Sequence, residues 1–250
     1  ALSQNKNVLY ITLEMAEERI AERIDANLLN ISMEDLAMLN RKLFNDKITN
    51  LQNKTTGTLI IKEYPTASAH TGHIRTLVNE LALKRTFKPD IIFVDYINIC
   101  ASARFKPGSN VNSYTYVKAI AEEMRGLAVE LDLPIVTATQ TTRTGYVSTD
   151  IGLEDTSESF GLPATADFMF ALISSEELER AGQMLVKQLK NRYNDPTLNR
   201  KFIIGVDRAR MKLFDVEQQA QNLIQPEEEK YVEHNSKDKE TEEKYKDFNF

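Results

Sequence analysis

Three polar residues stand where apolar runs stop: "VLYITL" gives way to Glu14, "IIFV" to Asp95 and "PIVTAT" to Gln140. Ligands in open parallel sheets bind beyond the carboxyl ends of the strands, so the first polar residue after each run is where chemistry is expected. Two carboxylates and an amide side by side suit phosphate-ester hydrolysis. One carboxylate holds Mg²⁺ through its water shell, the other orients the attacking water, and the amide senses the terminal phosphate. Taken singly, each residue is also explained by a loop that starts where its strand ends, and "IIFVDY" alone is a short, degenerate pattern. The three together point to a site.

A second grouping lies in "KQLKNRYNDP", where Lys190 and Arg192 sit two apart at the end of a predicted strand and so point to one side. An arginine there could reach a phosphate held by a neighbouring subunit. It would stabilise charge developing on the transferred phosphoryl group and make hydrolysis depend on assembly. The same pair also suits a solvated basic turn, because most exposed Lys and Arg are simply surface.

The elements that must hold these residues follow from period. "NVLYITLE" is a short β-rich run, and "MAEERIAERIDANLL" sets Ile20, Ile24 and Leu28 on one helical face. "HIRTLVNELALKRTF" reads as a helix with Ile74, Leu77, Val78 and Leu81 together, followed by the strand "PDIIFVDY", whose unbroken apolar run suggests burial on both faces. Past a Gly/Pro/Ser/Asn-rich loop, Val117, Ile120, Ala121, Met124, Leu127, Ala128 and Leu131 recur at helical spacing until Pro134, where "PIVTATQ" begins. This βαβ alternation predicts a mostly parallel central sheet with helices on its faces. The closely spaced runs "ADFMFALI", "QMLVKQLK", "KFIIGVD" and "ARMKLF" predict an antiparallel C-terminal extension of that sheet.

Bulk properties narrow the partners. With 250 residues and 42% apolar content the chain can bury one sizeable α/β core. No apolar run is long enough for a bilayer and no charged-then-apolar leader is present, so the expectation is a soluble cytoplasmic protein without a membrane partner. A single cysteine, Cys100, allows no internal disulfide, and with His70, His73 and His234 it offers no structural zinc set. The net charge of −6 argues against holding DNA by general basicity. Nine acids against five lysines in Gln225–Phe250 account for −4 of it and leave the body nearly neutral. The expected organisation is a motor-sized domain over residues 1–224 and a charged, disordered tail over 225–250.

The order of these features resembles the DnaB-like replicative helicases over roughly Lys6 to Phe214. The resemblance implies an α/β, RecA-like P-loop NTPase core that uses ATP and Mg²⁺. It makes Glu14, in "LYITLEMAEERIAER", the water-activating glutamate; Asp95, in "IIFVDY", the Walker B acid on the Mg²⁺ side; and Gln140, in "PIVTATQTTR", the γ-phosphate contact. "KNR" matches the lysine and arginine given to the adjacent subunit, here Lys190 and Arg192. "EDTSESFGLPATAD" has the spacing of the DNA-contacting loop, ending at Asp167. The family commonly has arginine and glycine where this chain has Ser157 and Phe160. The DNA contacts implied by the resemblance are Ser157, Glu158 and Phe160, and Arg143 and Tyr146 just upstream could compensate for the departures by phosphate pairing and base stacking. Independently of the resemblance, the near-neutral body leaves Arg104 and Lys106, on the loop after the Asp95 strand, as further candidates for phosphate contact; a functionless surface loop is the other reading of those two. Implied partners are single-stranded DNA, a hexameric ring of this chain, a primase and a helicase loader.

No G-x-x-x-x-G-K-[ST] occurs in the sequence. In the family that loop lies immediately before the counterpart of "KNVLYI". The expectation is therefore a helicase fragment that by itself binds ATP poorly, lacking the backbone N–H groups and lysine that hold the phosphates. Two other readings stay open: a recombinase-type or clock-type ATPase on the same core, and a non-catalytic RecA-like module that binds DNA or a replication protein.

Overall fold

The computed structural model describes residues 1–105, 110–141, 152–153, 161–195, 198 and 200–216. Four strands, β1 (Val8–Thr12), β2 (Leu59–Glu63), β3 (Ile91–Asp95) and β4 (Ile135–Thr137), form a parallel sheet in the order β2-β1-β3-β4. The central strand β1 is buried at four of its five positions, as an unbroken apolar run sandwiched by helices must be. Its register sets Thr12 opposite both Glu63 and Asp95, so three strands end level.

Helices α4 (Thr71–Arg85) and α5 (Ser113–Leu131) supply the apolar faces read from their periodicity. Ile74, Val78 and Leu81 of α4 and Val117, Ile120, Met124 and Leu127 of α5 share one core cluster with Leu9, Ile11 and Ile92 of the sheet. The least accessible of these, Leu9, Ile11, Ile74, Ile92, Ile120 and Leu127, each contribute about 1.5–3 kcal/mol by leaving water. Before α4 come α1 (Glu17–Leu29) and two short helices, α2 (Met33–Met38) and α3 (Arg41–Gln52). The latter two are started by Ser32 and Asn40, whose side chains accept from Asp35 N and Leu43 N.

The later strands, β5 (Phe168–Ile173), β6 (Gln183–Asn191), β7 (Lys201–Asp207) and β8 (Lys212–Asp215), are antiparallel as expected. Among the described residues they hydrogen-bond as a second four-stranded sheet, not as a direct continuation of the first. Two short helices flank β5: α6 (Gly161–Thr165), which packs on α5, and α7 (Glu176–Arg180). On β7, Gly205 lies under the ring of Phe214, where an added Cβ would come within 2.3 Å of the ring. The second sheet is tied to the first body through the β7–β8 turn: Asn27 Nδ2 donates to Met211 O at 2.7 Å and Met33 N to Ala209 O at 2.8 Å. No described helix is long and apolar enough to cross a membrane. The expected tail, 225–250, lies outside the described residues.

Candidate active site

Glu14 stands on a turn built by a buried threonine. Thr12 is fully inaccessible, and its hydroxyl donates to Met15 O at 2.8 Å and accepts from Met15 N at 3.1 Å. This closes the chain around Leu13 and Glu14, with Leu13 buried and Glu14 exposed. Leu13 N–H in turn donates to Asp95 O at 2.9 Å. The ends of β1 and β3 are therefore fastened to each other at Asp95 and at Leu13, the residue before Glu14.

Asp95 is oriented by an interaction that the strand-end pattern does not reveal. Tyr10, two residues before the end of β1, donates its phenolic hydrogen to Asp95 Oδ2 at 3.0 Å, and its ring stacks on Phe93. Burial, and next the charge of Asp95, push the Tyr10 phenol well above its ordinary range, so it stays a donor. The one sequence signal for it is a tyrosine inside an otherwise aliphatic and threonine run.

Gln140 lies three residues beyond β4 rather than at its end. The intervening chain is held by Ile97 N–H to Ala138 O at 3.2 Å and Thr139 Oγ1 to Asn98 Oδ1 at 2.8 Å. Gln140 Nε2 donates to the hydroxyl of Tyr96, the residue after Asp95, at 3.2 Å. Its amide is then oriented by a contact one residue from the Asp95 carboxylate.

These groups fit a magnesium ion held through water. No cluster of three His, Cys, Asp or Glu that could grip a metal directly is found among the described residues. A lone carboxylate with one oxygen fixed by a phenol suits an ion that keeps most of its own water shell. Asp95, with one oxygen held by the Tyr10 phenol, has the chemistry to hold a hydrated cation, and the sequence contains no glycine-rich phosphate cradle.

The basic strand end is not a free turn. Lys190 lies near the end of β6, and its ammonium donates to Pro163 O and to Ala164 O, the latter at 3.1 Å. Arg192 donates to Asp167 Oδ1 at 2.9 Å and to Ala164 O at 2.8 Å. Arg125, from α5, shares that same Asp167 oxygen at 2.5 Å. The Arg125 bond, and after it the Arg192 bond, hold the Asp167 carboxyl below the usual range, while burial and the neighbouring Arg192 push Lys190 down. Arg125 was not identified from sequence, because a charged residue on the flank of an amphipathic helix carries no distinguishing pattern.

Arg104 is engaged by α5: its guanidinium pairs with Glu122 at 2.5 Å and lies 3.9 Å from Glu123. Glu123 is nearly buried and accepts from Ser102 Oγ at 2.5 Å and Ala103 N at 2.8 Å, which anchors the chain leaving β3. Lys106, Arg143, Tyr146, Ser157, Glu158 and Phe160 lie outside the described residues.

Comparison with known proteins gives one consistent answer. A family model described as the DnaB-like helicase C terminal domain matches residues 1–210. The chain is 47% identical over 220 residues to a DnaB-like replicative helicase of Enterobacteria phage T4, covering 87% of this chain and 46% of the relative. It is 29% identical over 144 residues to a probable plasmid replicative DNA helicase of Chlamydia muridarum, covering 57% of this chain and 30% of that protein. It spans about half the length of the first of these relatives and less of the second. A solved DnaB-like replicative helicase, studied with its primase interactions, shares the fold at a TM-score of 0.69 (17% identity, 86% of this chain, 52% of that one). A solved ATPase domain matches equally well, also at 0.69 (16% identity, 86% of this chain, 76% of that one).

Proposed function

This chain belongs to the DnaB-like helicase C-terminal domain family, and we propose that within the complete protein it is the ATP-driven motor of a ring-forming replicative DNA helicase. The observation that carries the reading is the fastening of the β1 and β3 ends, with Tyr10 and Leu13 bonded to the side chain and main chain of Asp95. That arrangement supports a site at the carboxyl ends of two neighbouring strands, where Glu14 and Asp95 emerge, with Gln140 tied to Tyr96, the residue after Asp95. Asp95 would hold Mg²⁺ through its water shell, and the ion would supply neutralisation of phosphate charge. Glu14 takes the proton of the attacking water; Gln140 bonds the terminal phosphate and, through Tyr96, links its state to the chain that follows Asp95. Lys190 and Arg192 serve the nucleotide of the adjacent subunit.

DNA contact is assigned to the chain following those same strands: Arg104 and Lys106 after β3, and Arg143, Tyr146, Ser157, Glu158 and Phe160 after β4. With a body charge near zero, each subunit offers few phosphate contacts, and affinity comes from repeating them around a hexamer. A primase and a loader are proposed as further partners, the former because one solved relative was studied with its primase. The bacterial cytoplasm is the proposed setting, by the likeness to a phage replicative helicase.

The test is strand separation of a forked duplex by the complete protein. ATP-dependent unwinding that needs assembled rings is the expected result. Rings that bind single-stranded DNA but neither hydrolyse ATP nor separate strands would leave a non-catalytic module as the correct description.

A further inference from the structure

Asp167 sits at the entrance to β5, and its carboxylate is where cationic side chains from separate elements meet. Arg125 Nη1, from α5, donates to Asp167 Oδ1 at 2.5 Å and to Thr165 O at 2.9 Å. Arg192 Nη1, just past β6, donates to the same carboxylate oxygen at 2.9 Å. Its Nη2 takes Ala164 O at 2.8 Å, and its own backbone N–H donates to Asp167 O, also at 2.9 Å. Lys190 anchors on the adjoining carbonyls of Pro163 and Ala164.

A guanidinium is a planar fork with five N–H donors. Two bonds, one to a backbone carbonyl and one to a carboxylate that is itself tied down, set its plane. Arg125 makes the carboxylate a fixed point, because it ties Asp167 to the end of α6 and to the 19-residue helix α5. Without Asp167, Arg192 would lie beside Arg125 and Lys190 with no counter-charge, and like-charge repulsion would turn it outward into many rotamers. With Asp167, one carboxylate faces three cations, and the surplus positive charge still attracts an anion presented from outside.

We infer that Asp167 and Arg125 are positioning residues that mount Arg192 for the neighbouring subunit's nucleotide. This rests on the reading of Arg192 as acting in trans. Ring assembly then brings a phosphate to an arginine already oriented, so little ordering remains at the moment of reaction. The lowered carboxyl range of Asp167 agrees with a charge that persists throughout the working pH range. Residues that act through Arg192 must share its place in the ring: a defect at Asp167 harms the neighbour's site and spares the subunit's own.

The experiment uses rings of the complete protein, with ring formation checked by mass and DNA-stimulated ATP hydrolysis as the readout. Asp167→Asn and Arg125→Lys are each expected to lower kcat on the order of 10- to 100-fold with KM for ATP changed by less than about two-fold, and Asp167→Glu is expected to restore part of the loss. In mixed rings, Asp167→Asn subunits combined with Glu14→Gln subunits should regain turnover, since an intact Glu14 then meets an intact Arg192 mount. Asp167→Asn combined with Arg192→Ala should not. Recovery in that second mixture, or a kcat unchanged from wild type, overturns the inference. The mixture of Glu14→Gln with Arg192→Ala separates the two levels: if it stays inactive in proven rings, the in-trans reading itself fails. If it recovers while Asp167→Asn follows no such pattern, only the positioning role fails. Should Asp167→Asn not form rings, Arg125→Lys carries the same mixing test.

Discussion

Tyr10 donates its hydroxyl hydrogen to Asp95 Oδ2 at 3.0 Å, across two neighbouring parallel strands and from a ring stacked on Phe93. If Asp95 works through the water shell of an ion, as proposed, it must keep one orientation, and this bond would supply it. Tyr10→Phe is expected to cost about 1 kcal/mol of stability and to raise the Mg²⁺ concentration for half-maximal hydrolysis about ten-fold. A Mg²⁺ titration of ATPase activity alongside a melting curve checks both. An unshifted Mg²⁺ dependence would show that Asp95 is oriented without the phenol.

The start of α4 carries a pH sensitivity. His70 accepts from Gly72 N at 3.0 Å, and His73 Nδ1 accepts from His70 N at 3.3 Å. An imidazole that gains a proton loses that acceptor. Burial first, then His73, with Arg75 adding and Glu123 opposing, hold His70 below the ordinary histidine range. The unfolded chain therefore takes up a proton near pH ~6.5 that the folded chain resists. This stability is fully present above that pH and is lost as the pH falls from there through the folded value. Tm followed from about pH 7.5 down to about pH 5.5, across histidine titration, should fall more steeply for wild type than for His70→Asn, which keeps a capping acceptor without the titration. Parallel curves would remove His70 from the account.

To contact DNA as proposed, Arg104 would have to leave Glu122, to which it is paired at 2.5 Å with about half of its side chain exposed. Glu122→Gln should strengthen single-stranded DNA binding by the complete ring. Arg104→Ala should weaken it and reduce the salt slope by about 0.7 for each phosphate that is no longer neutralised. Salt titrations of both variants that overlay wild type would assign Arg104 to holding the chain after β3 and nothing more.

What the sequence made legible follows from the range of the interactions involved. β1, β3, α4 and α5 are readable because their burial is periodic or unbroken: Ile74, Val78 and Leu81 of α4 and Val117, Ile120, Ala121, Met124 and Leu127 of α5 lie in the core as expected, whereas Leu77 and Leu131 are only partly buried and Ala128 lies outside the cluster. β2 was not read: its positions are half-buried to exposed, so "LIIKE" lacks the long apolar signature. The short helices α2 and α3 bury no residue completely and rest on the local caps Ser32 and Asn40. Gln140 was expected at a strand end, yet β4 stops at Thr137, whose hydroxyl donates to Val94 O at 2.7 Å. The ties of Arg192 to Asp167 and of Arg104 to Glu122 join residues 25 and 18 positions apart. No local pattern encodes such pairs; they exist only once α5 and α6 are packed.

Glu14, exposed on the turn closed by Thr12 and Met15, is proposed to activate water at a nucleotide site completed by Asp95 and Gln140. The most direct measurement is ATP hydrolysis by rings of the complete protein carrying Glu14→Gln, with nucleotide binding followed in parallel. Binding close to wild type with hydrolysis lower by about two orders of magnitude or more is expected, as for loss of a water-activating group; turnover near wild type in intact rings would remove Glu14 from the catalytic role.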